Sequence, residues 1–141
     1  MQRGESVFNT LALIKPDIAQ DEKAVSHVIR RITGRGYLIK DRVEIKLSNA
    51  QARAFYAEHA GKPFFDGLVA FMSSGPLVAL LIEGDDVIRG WRTMIGPTSP
   101  AAARQLAPQS IRAVLGADGP RNAVHGSDSA ESAQRELSFF F

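Results

Sequence analysis

The densest group of polar side chains lies near the C-terminus, and its residue types suit phosphoryl-transfer chemistry. His125 ends a predicted short strand at 121–125, and residues 127–129 begin the last predicted helix. A neutral imidazole can attack a phosphoryl group. The free N–H groups of a helix start favour a phosphate, and Gly126 allows the backbone to turn close to a ligand. The segment is equally compatible with a hydrogen-bonded structural histidine, in which case Ser127 and Asp128 act only as helix caps.

Three basic side chains could supply positive charge to the same anion. Lys15 directly follows the first predicted strand, Arg92 lies in a predicted helix, and Arg112 follows a proline-rich stretch. A lysine binds phosphate as a point charge, whereas two arginines can clamp it through charge-assisted hydrogen bonds. Each of the three could instead be an ordinary solvated residue. Tyr56 and Phe64 also have two interpretations, either as core residues or as an aromatic edge on which a base stacks.

Several familiar sites for nucleotides, metals and thiol chemistry are absent from the sequence. It contains neither GxxxxGK[ST] nor GxGxxG, and no His, Asp or Glu cluster has metal-ligand spacing. His27 and His59 lie on separate predicted helices, and nothing in the sequence associates either with His125. The chain has no cysteine, which excludes disulfides and a thiol nucleophile and favours a reducing compartment.

Strands and helices that alternate along the chain must position these residues. Apolar runs and two-residue alternation predict strands, and spacings of three and four residues predict helices. Residues 96–120 are predicted to form a long loop, because they hold four of the seven prolines and show little periodicity. Capping-box spacing at Ser48 and Gln51, and again at Asp128 and Glu131, predicts two helix starts. In chain order the predicted elements are strand 7–14, helix 22–35, strand 37–47, helix 48–59, helix 65–73, strand 77–82, helix 85–95, strand 121–125, a helix after 128 and an apolar tail at 137–141 that packs on the core or a neighbouring subunit. This pattern alone indicates a parallel α/β sheet.

Composition and charge narrow the class of protein. The 141 residues, 45% hydrophobic and 23% charged, predict one globular domain with a flexible segment at 1–6, and they exclude a disordered tail, a collagen repeat and a coiled coil. A net charge of +2 counts against nucleic-acid binding. The longest apolar run, 77–82, is far too short to span a membrane. With no secretory signal at the N-terminus, a cytoplasmic location is predicted; a processed mitochondrial leader would leave no trace.

Four ordered motifs together resemble those of the nucleoside diphosphate kinase family. They are N-x-x-H-G-S-D at 122–128, A-L-I-K-P-D at 12–17, G-K-P-F-F at 61–65 and S-G-P at 74–76. W-R-T-M-I-G-P-T at 91–98 and the form of the long loop are most similar to a divergent branch of that family. The resemblance implies an α+β sandwich with a ferredoxin-like βαββαβ core, in which helices cover a four-stranded antiparallel sheet. This implication outweighs the parallel sheet indicated by periodicity.

The resemblance also implies an activity and the residues that perform it. His125 would take the γ-phosphoryl group from a nucleoside triphosphate and pass it to a second nucleoside diphosphate in a ping-pong reaction. Glu136 and Ser127 match the residues that orient this histidine, and Phe64 and Leu68 match those beside the base. The positions that match those holding phosphates and ribose are Lys15, Tyr56, Arg92, Thr98, Arg112 and Asn122. Mg²⁺ would arrive on the nucleotide phosphates, without a direct protein ligand.

The resemblance further implies a homo-oligomer, with a hexamer favoured over a tetramer or dimer. Two departures from the family pattern affect this expectation. Residues 98–112 are predicted to be about three residues longer than usual, with Arg104 and Gln105 in the insertion. In addition, A-V-L at 113–115 stands where G-D-F is common. These departures leave two other hypotheses open: an inactive regulatory or scaffolding member of the same fold, and a single-strand nucleic-acid-binding module.

Overall fold

The centre of the molecule is a four-stranded antiparallel sheet. The computed structural model describes residues 7–141. Its strands are β1 (Val7–Ile14), β2 (Leu38–Ile45), β3 (Leu77–Asp85) and β4 (Val124–Gly126), in the spatial order β2-β3-β1-β4. The ferredoxin-like fold implied by the family resemblance is therefore confirmed. The predicted flexible segment 1–6 lies outside the described residues.

Helices cover both faces of this sheet. Among the described residues they are α1 (Glu22–Gly34), α2 (Asn49–Phe55), a short 3-10 helix (Ala57–His59), α3 (Phe65–Met72), α4 (Val87–Ile95), α5 (Pro100–Leu106), α6 (Ile111–Leu115) and α7 (Ala130–Leu137). The capping box predicted at α2 is present, because the Gln51 N–H donates to Ser48 Oγ at 3.0 Å and the Ser48 N–H donates to Gln51 Oε1 at 2.8 Å. Within residues 7–141 every helix is too short or too polar to cross a bilayer.

The parallel sheet indicated by the alternation of strands and helices is wrong. β3 inserts between β1 and β2 and runs antiparallel to both, with Ile14 opposite Val78 and Ile45 opposite Leu77. Helix α1 therefore connects two strands that are not neighbours in the sheet. The sequence pattern shows that strands and helices alternate along the chain, but it does not show the order of the strands in the sheet.

Two apolar clusters hold the sheet between its helix layers. Successive side chains of a strand point to opposite faces. Ala12 and Ile14 of β1 therefore pack with Val28, Ile32 and other residues of the α1 and α4 side. Leu11 and Leu13 join the second cluster, which contains Phe55, Val69 and Met72 of the α2 and α3 side. Because β1 contributes to both clusters and also pairs with β4, it supports the strand that carries His125.

The long loop predicted at 96–120 contains two short helices. Ser99 caps α5 by accepting from the Ala102 N–H at 3.3 Å, and Ser110 caps α6 by accepting from the Ala113 N–H at 3.3 Å. Pro100 occupies the first turn of α5, where a missing N–H costs no helical hydrogen bond. The prolines that suggested an unstructured loop are thus compatible with helices of five to seven residues.

The C-terminal elements differ from the prediction by a few residues. β4 has only three residues and begins at Val124. Helix α7 is capped by Ser129, which accepts from the Ser132 N–H at 3.0 Å, so the capping box expected at Asp128 and Glu131 is wrong. In the tail, Phe140 packs on the second apolar cluster, whereas Phe139 and Phe141 are partly exposed.

Candidate active site

A cavity of about 1040 Å³ opens where β4 meets α4, the α5–α6 region and the turn before α3. His125 lines this cavity. It is the central residue of β4 and lies opposite Leu13 of β1. The structure brings ten of the eleven predicted site residues to this one cavity: Lys15, Tyr56, Phe64, Leu68, Arg92, Thr98, Arg112, Asn122, His125 and Glu136. Ser127, the eleventh, is buried behind it.

The imidazole of His125 is held through one of its two nitrogens. Nε2 lies 2.7 Å from Oε1 of Glu136, and the Ser127 hydroxyl donates to the same carboxylate oxygen at 2.8 Å. A proton on Nε2 satisfies this contact, which leaves the lone pair on Nδ1. None of the described residues hydrogen-bonds Nδ1. The arrangement therefore leaves one ring nitrogen of His125 available for chemistry.

The Glu136 carboxylate stays ionised although it is buried. Burial acts to raise the pKa of Glu136, but the hydrogen bond and charge of His125, the hydrogen bond of Ser127 and the charge of Arg135 together lower it. The net effect is a pKa below the ordinary value, so the carboxylate is an acceptor at neutral pH. A buried carboxylate that is hydrogen-bonded in this way is fixed in orientation, and it fixes the ring that it contacts.

Lys15 forms the second polar centre of the cavity wall. Its ammonium donates to the Pro120 carbonyl and to Asn122 Oδ1, both at 2.6 Å, and the Asn122 amide in turn donates to the Thr98 carbonyl at 3.0 Å. Burial lowers the pKa of Lys15 to about 8, since the charge of Arg112 adds to desolvation and Asp17 offsets only part of it. A cation whose pKa is lowered by burial gains from a nearby anion.

Arg112 is a buried guanidinium at the base of the cavity. Two of its nitrogens donate to backbone carbonyls, those of Gly96 at 3.1 Å and Val124 at 2.9 Å, whereas its Nε has no partner among the described residues. Burial and the charge of Arg92 lower the pKa of Arg112 to about 10. The side chain is thus positioned by the protein but not neutralised by it.

Aromatic side chains border the cavity. Tyr56 is buried with its ring edge-on to His125 at 6.3 Å, and burial together with the Glu136 charge raises the pKa of its hydroxyl. Phe64 is 52% exposed, and Leu68 of α3 lines the same cavity. Such an exposed ring at a cavity mouth is suited to stacking on a flat ligand.

Nothing in the sequence associated His59 with His125, but the structure places both on the wall of one cavity. His59 stacks on Tyr56 at 6.3 Å and lies 5.3 Å from the Phe64 ring. The 3-10 helix after α2 turns it inward, whereas a continuous helix to residue 59 was predicted. The Lys62 ammonium lies 3.3 Å from the Nδ1 of His59.

The structure adds a second reason for a glycine at 126, a residue that also lines the cavity. A Cβ at this position would lie 2.8 Å from Trp91 Cδ1 and 2.9 Å from its Nε1. The same indole donates to the His125 carbonyl at 3.2 Å. Gly126 therefore allows α4 to approach β4 closely, which fixes the strand that carries His125.

The donors around the cavity are suited to an anion. Within the described part of the chain, no three His, Asp or Glu side chains converge in a way that could bind a metal ion. The polar wall instead presents a lysine, two arginines, an amide and hydroxyls, which are ligands for phosphate oxygens.

Comparisons with known proteins match this chain to a family whose name indicates phosphoryl transfer. The family model described as "Nucleoside diphosphate kinase" matches residues 9–141. The "Nucleoside diphosphate kinase" of Aquifex aeolicus is 45% identical over 96% of this chain and 95% of the relative, and that of Desulforamulus reducens is 47% identical over 94% and 86%. A crystal structure of the Aquifex aeolicus enzyme superimposes with a TM-score of 0.91 at 45% identity, covering 96% of this chain and 95% of the other.

Proposed function

Because the chain belongs to the nucleoside diphosphate kinase family, we propose that His125 carries the phosphoryl group between two nucleotides. One observation above all supports this role: Glu136 engages Nε2 of the ring and leaves the Nδ1 lone pair unused at the cavity wall. In the first half-reaction Nδ1 bonds to the γ-phosphorus while the bond from phosphorus to the bridging oxygen breaks. The electron pair of that bond leaves with the nucleoside diphosphate. The second half-reaction reverses these steps with another diphosphate as acceptor.

Glu136 and Ser127 act on the ring rather than on the nucleotide. As Nδ1 attacks, positive charge develops on the imidazole, and the adjacent carboxylate stabilises it. The Ser127 hydroxyl holds the carboxylate in place through its 2.8 Å hydrogen bond. Both are therefore proposed to orient the nucleophile.

The cationic wall is proposed to hold the phosphates. Lys15, Arg92 and Arg112 supply charge, while Tyr56, Thr98 and Asn122 supply hydrogen-bond donors to phosphate or ribose oxygens. The unpartnered Nε of buried Arg112 supports this assignment, because a buried donor without an acceptor is costly until a ligand supplies one. We add His59 to this group on the basis of its place in the cavity.

Phe64 and Leu68 are proposed to contact the base. Stacking on an exposed ring uses the π-face that every base has, whereas discrimination between bases requires hydrogen bonds to their edges. We therefore expect low selectivity among nucleosides.

Magnesium is proposed to enter as part of the substrate. The cavity donors fit phosphate oxygens rather than a divalent cation, so the ion would stay on the nucleotide phosphates, whose charge it partly neutralises. In this arrangement Lys15 and Arg112 bind the magnesium–nucleotide complex and not the metal itself.

We propose that the chain forms one domain that assembles into a homo-oligomer, with a hexamer favoured over a tetramer or dimer, and that it acts in the cytoplasm. The insertion around Arg104 also stays a prediction. Sedimentation velocity together with the phosphotransfer assay would test the assembly.

The function is tested by following the phosphoryl group. Incubation with γ-³²P-labelled ATP and Mg²⁺ should give an acid-labile label on the protein, which GDP then removes as GTP. His125→Gln should abolish both labelling and turnover, because the amide offers no nucleophilic nitrogen. Equal labelling of His125→Gln and the wild type would overturn the assignment. Nucleotide binding without transfer would instead favour the regulatory alternative.

A further inference from the structure

We propose that Asp17 is a positioning residue for His125, because its carboxylate holds the left-handed backbone of Ala123 from which β4 begins. The inference rests on the function proposed above and identifies the residue that places its nucleophile. Asp17 is two residues beyond Lys15 in sequence, yet its side chain contacts the segment that leads into His125.

Ala123 has an unfavourable backbone conformation in a fully buried place. Its φ of 76° lies in the left-handed region, which only two non-glycine residues adopt among residues 7–141. The other, Asp86, is exposed at the start of α4. A side chain with a Cβ persists in this region only where its surroundings impose the conformation.

The Val124 N–H closes a tight turn over Ala123 by donating to the Asn122 carbonyl at 2.9 Å, and segment 15–17 supports this turn through both polar groups of the Ala123 backbone. The Ala123 N–H donates to Asp17 Oδ2 at 3.0 Å, and the Ala123 carbonyl accepts from the Lys15 N–H at 2.9 Å. Without the carboxylate, the buried N–H would lose its acceptor, and the backbone could relax towards negative φ.

Such a relaxation would reach His125 directly. β4 is an edge strand of three residues that pairs with β1 alone, so few hydrogen bonds fix its register. His125 is two residues beyond Ala123, and its Nε2 lies 2.7 Å from Glu136. A rotation at Ala123 would move the ring relative to both Glu136 and the bound phosphate.

A different role for Asp17 would be purely electrostatic, because its charge also favours the protonated form of Lys15. The two roles predict different behaviour of two variants. Asp17→Asn keeps an oxygen that can accept from the Ala123 N–H but removes the charge. Ala123→Gly removes the backbone strain but leaves the charge of Asp17 unaltered.

The test measures the rate of His125 phosphorylation by magnesium–ATP in a quenched-flow experiment and the affinity for ADP by calorimetry. Asp17→Ala should slow phosphorylation by roughly 10- to 100-fold, the scale on which a small misplacement of a reacting group acts. At about pH 6, where Lys15 keeps its proton in both proteins, its affinity for ADP should stay near that of the wild type. Adding Ala123→Gly to Asp17→Ala should recover at least about fivefold of the rate, because glycine adopts positive φ without the Cβ penalty.

His125 of Asp17→Asn should be phosphorylated much faster than that of Asp17→Ala, since asparagine keeps an oxygen that accepts from the Ala123 N–H. If Asp17→Ala does not fold, Asp17→Asn is compared with the wild type and should keep most of the wild-type rate. The matched control is Asp21→Ala, which removes a carboxylate that only caps α1. This control should lower thermal stability and leave the phosphorylation rate unchanged.

Three outcomes would overturn the positioning role. In the first, His125 of Asp17→Ala is phosphorylated at the wild-type rate. In the second, adding Ala123→Gly to Asp17→Ala recovers none of the lost rate. In the third, Asp17→Asn is as slow as Asp17→Ala or, if Asp17→Ala does not fold, loses most of the wild-type rate. In each case, formation of phosphohistidine in the wild type would still support the proposed kinase function. Failure of the wild type itself to form phosphohistidine would overturn that function, and the positioning role with it.

Discussion

At the scale of single residues, the site depends on buried charges that are only partly neutralised by the protein. Glu136 is 4% exposed and is held by His125 and Ser127, so its charge is satisfied internally. Lys15 and Arg112 are buried to a similar degree, but their hydrogen-bond acceptors are mainly neutral oxygens. Desolvated cations without a full counter-charge bind an incoming phosphate more strongly than solvated ones.

The lowered pKa of Lys15 predicts a pH dependence of nucleotide binding. Its ammonium loses its proton as the pH rises through about 8 in the free protein, whereas the unfolded chain keeps it up to about 10.5. Bound phosphate favours the charged form, so affinity for ADP should fall above pH 8 by up to about tenfold per pH unit. Calorimetry from neutral pH to about 9.5 checks this.

The control for this prediction is Lys15→Met, which should bind ADP more weakly and with little pH dependence over the same range. The stability should change in the opposite sense to the affinity. Between about 8 and 10.5 the unfolded chain binds the proton more tightly, so the free energy of unfolding should rise with pH. A pH dependence of ADP binding that persists in Lys15→Met would assign it to another group.

At the scale of elements, the α5–α6 region is attached to the site through a crowded turn at Gly96. Gly96 ends α4 with a φ of 84°, and its carbonyl accepts from the Arg112 guanidinium at 3.1 Å. A Cβ there would lie 2.5 Å from Oγ and 2.6 Å from Cβ of Ser110, the residue that caps α6. One position therefore couples the end of α4 to the start of α6.

This coupling predicts that Gly96→Ala is more costly than an alanine at another glycine with positive φ. Gly61 has a similar φ of 87° with no atom within 4 Å of its would-be Cβ, so Gly61→Ala should cost only the backbone strain, about 1–2 kcal/mol. Gly96→Ala should add about 1–3 kcal/mol for overpacking. Urea unfolding of both variants measures the difference, and equal losses would show that the Ser110 contact relaxes without cost.

At the scale of the whole molecule, β1 joins the two apolar clusters into one structure. Alternate side chains of this strand enter clusters on opposite faces of the sheet, and its backbone pairs with β3 and β4. Neither helix layer can separate from the sheet without exposing β1. We therefore expect both clusters to unfold together.

Large-to-small substitutions on the two faces should test this cooperativity. Ile32→Ala in the first cluster and Leu13→Ala in the second each remove a fully buried side chain and should cost about 2–5 kcal/mol. In each variant, calorimetry should show a single transition at lower temperature. Two resolved transitions, with only one of them shifted, would mean that the helix layers unfold independently.

Local patterns predicted most elements because their causes are local. The spacing of Val25, Val28 and Ile32 predicted α1 to within one residue, and the Ser48 capping box predicted the start of α2. The pattern did not predict α5 and α6, because five to seven residues carry too little periodicity to outweigh four prolines. The pattern also did not predict that His59 lines the cavity, since this depends on the end of helix α2 at Phe55.

The sequence by itself determined the residue types, the helix periods and the ordered motifs that indicate the family, since these are properties of neighbouring residues. Those motifs also implied the antiparallel sheet and the roles of Glu136 and Ser127, but only the tertiary structure decided the contacts by which these two residues meet at His125 and the support of Ala123 by Asp17. Those contacts join residues from 9 to 106 positions apart. No periodicity records them, because the chain must first close around its core before such groups can meet.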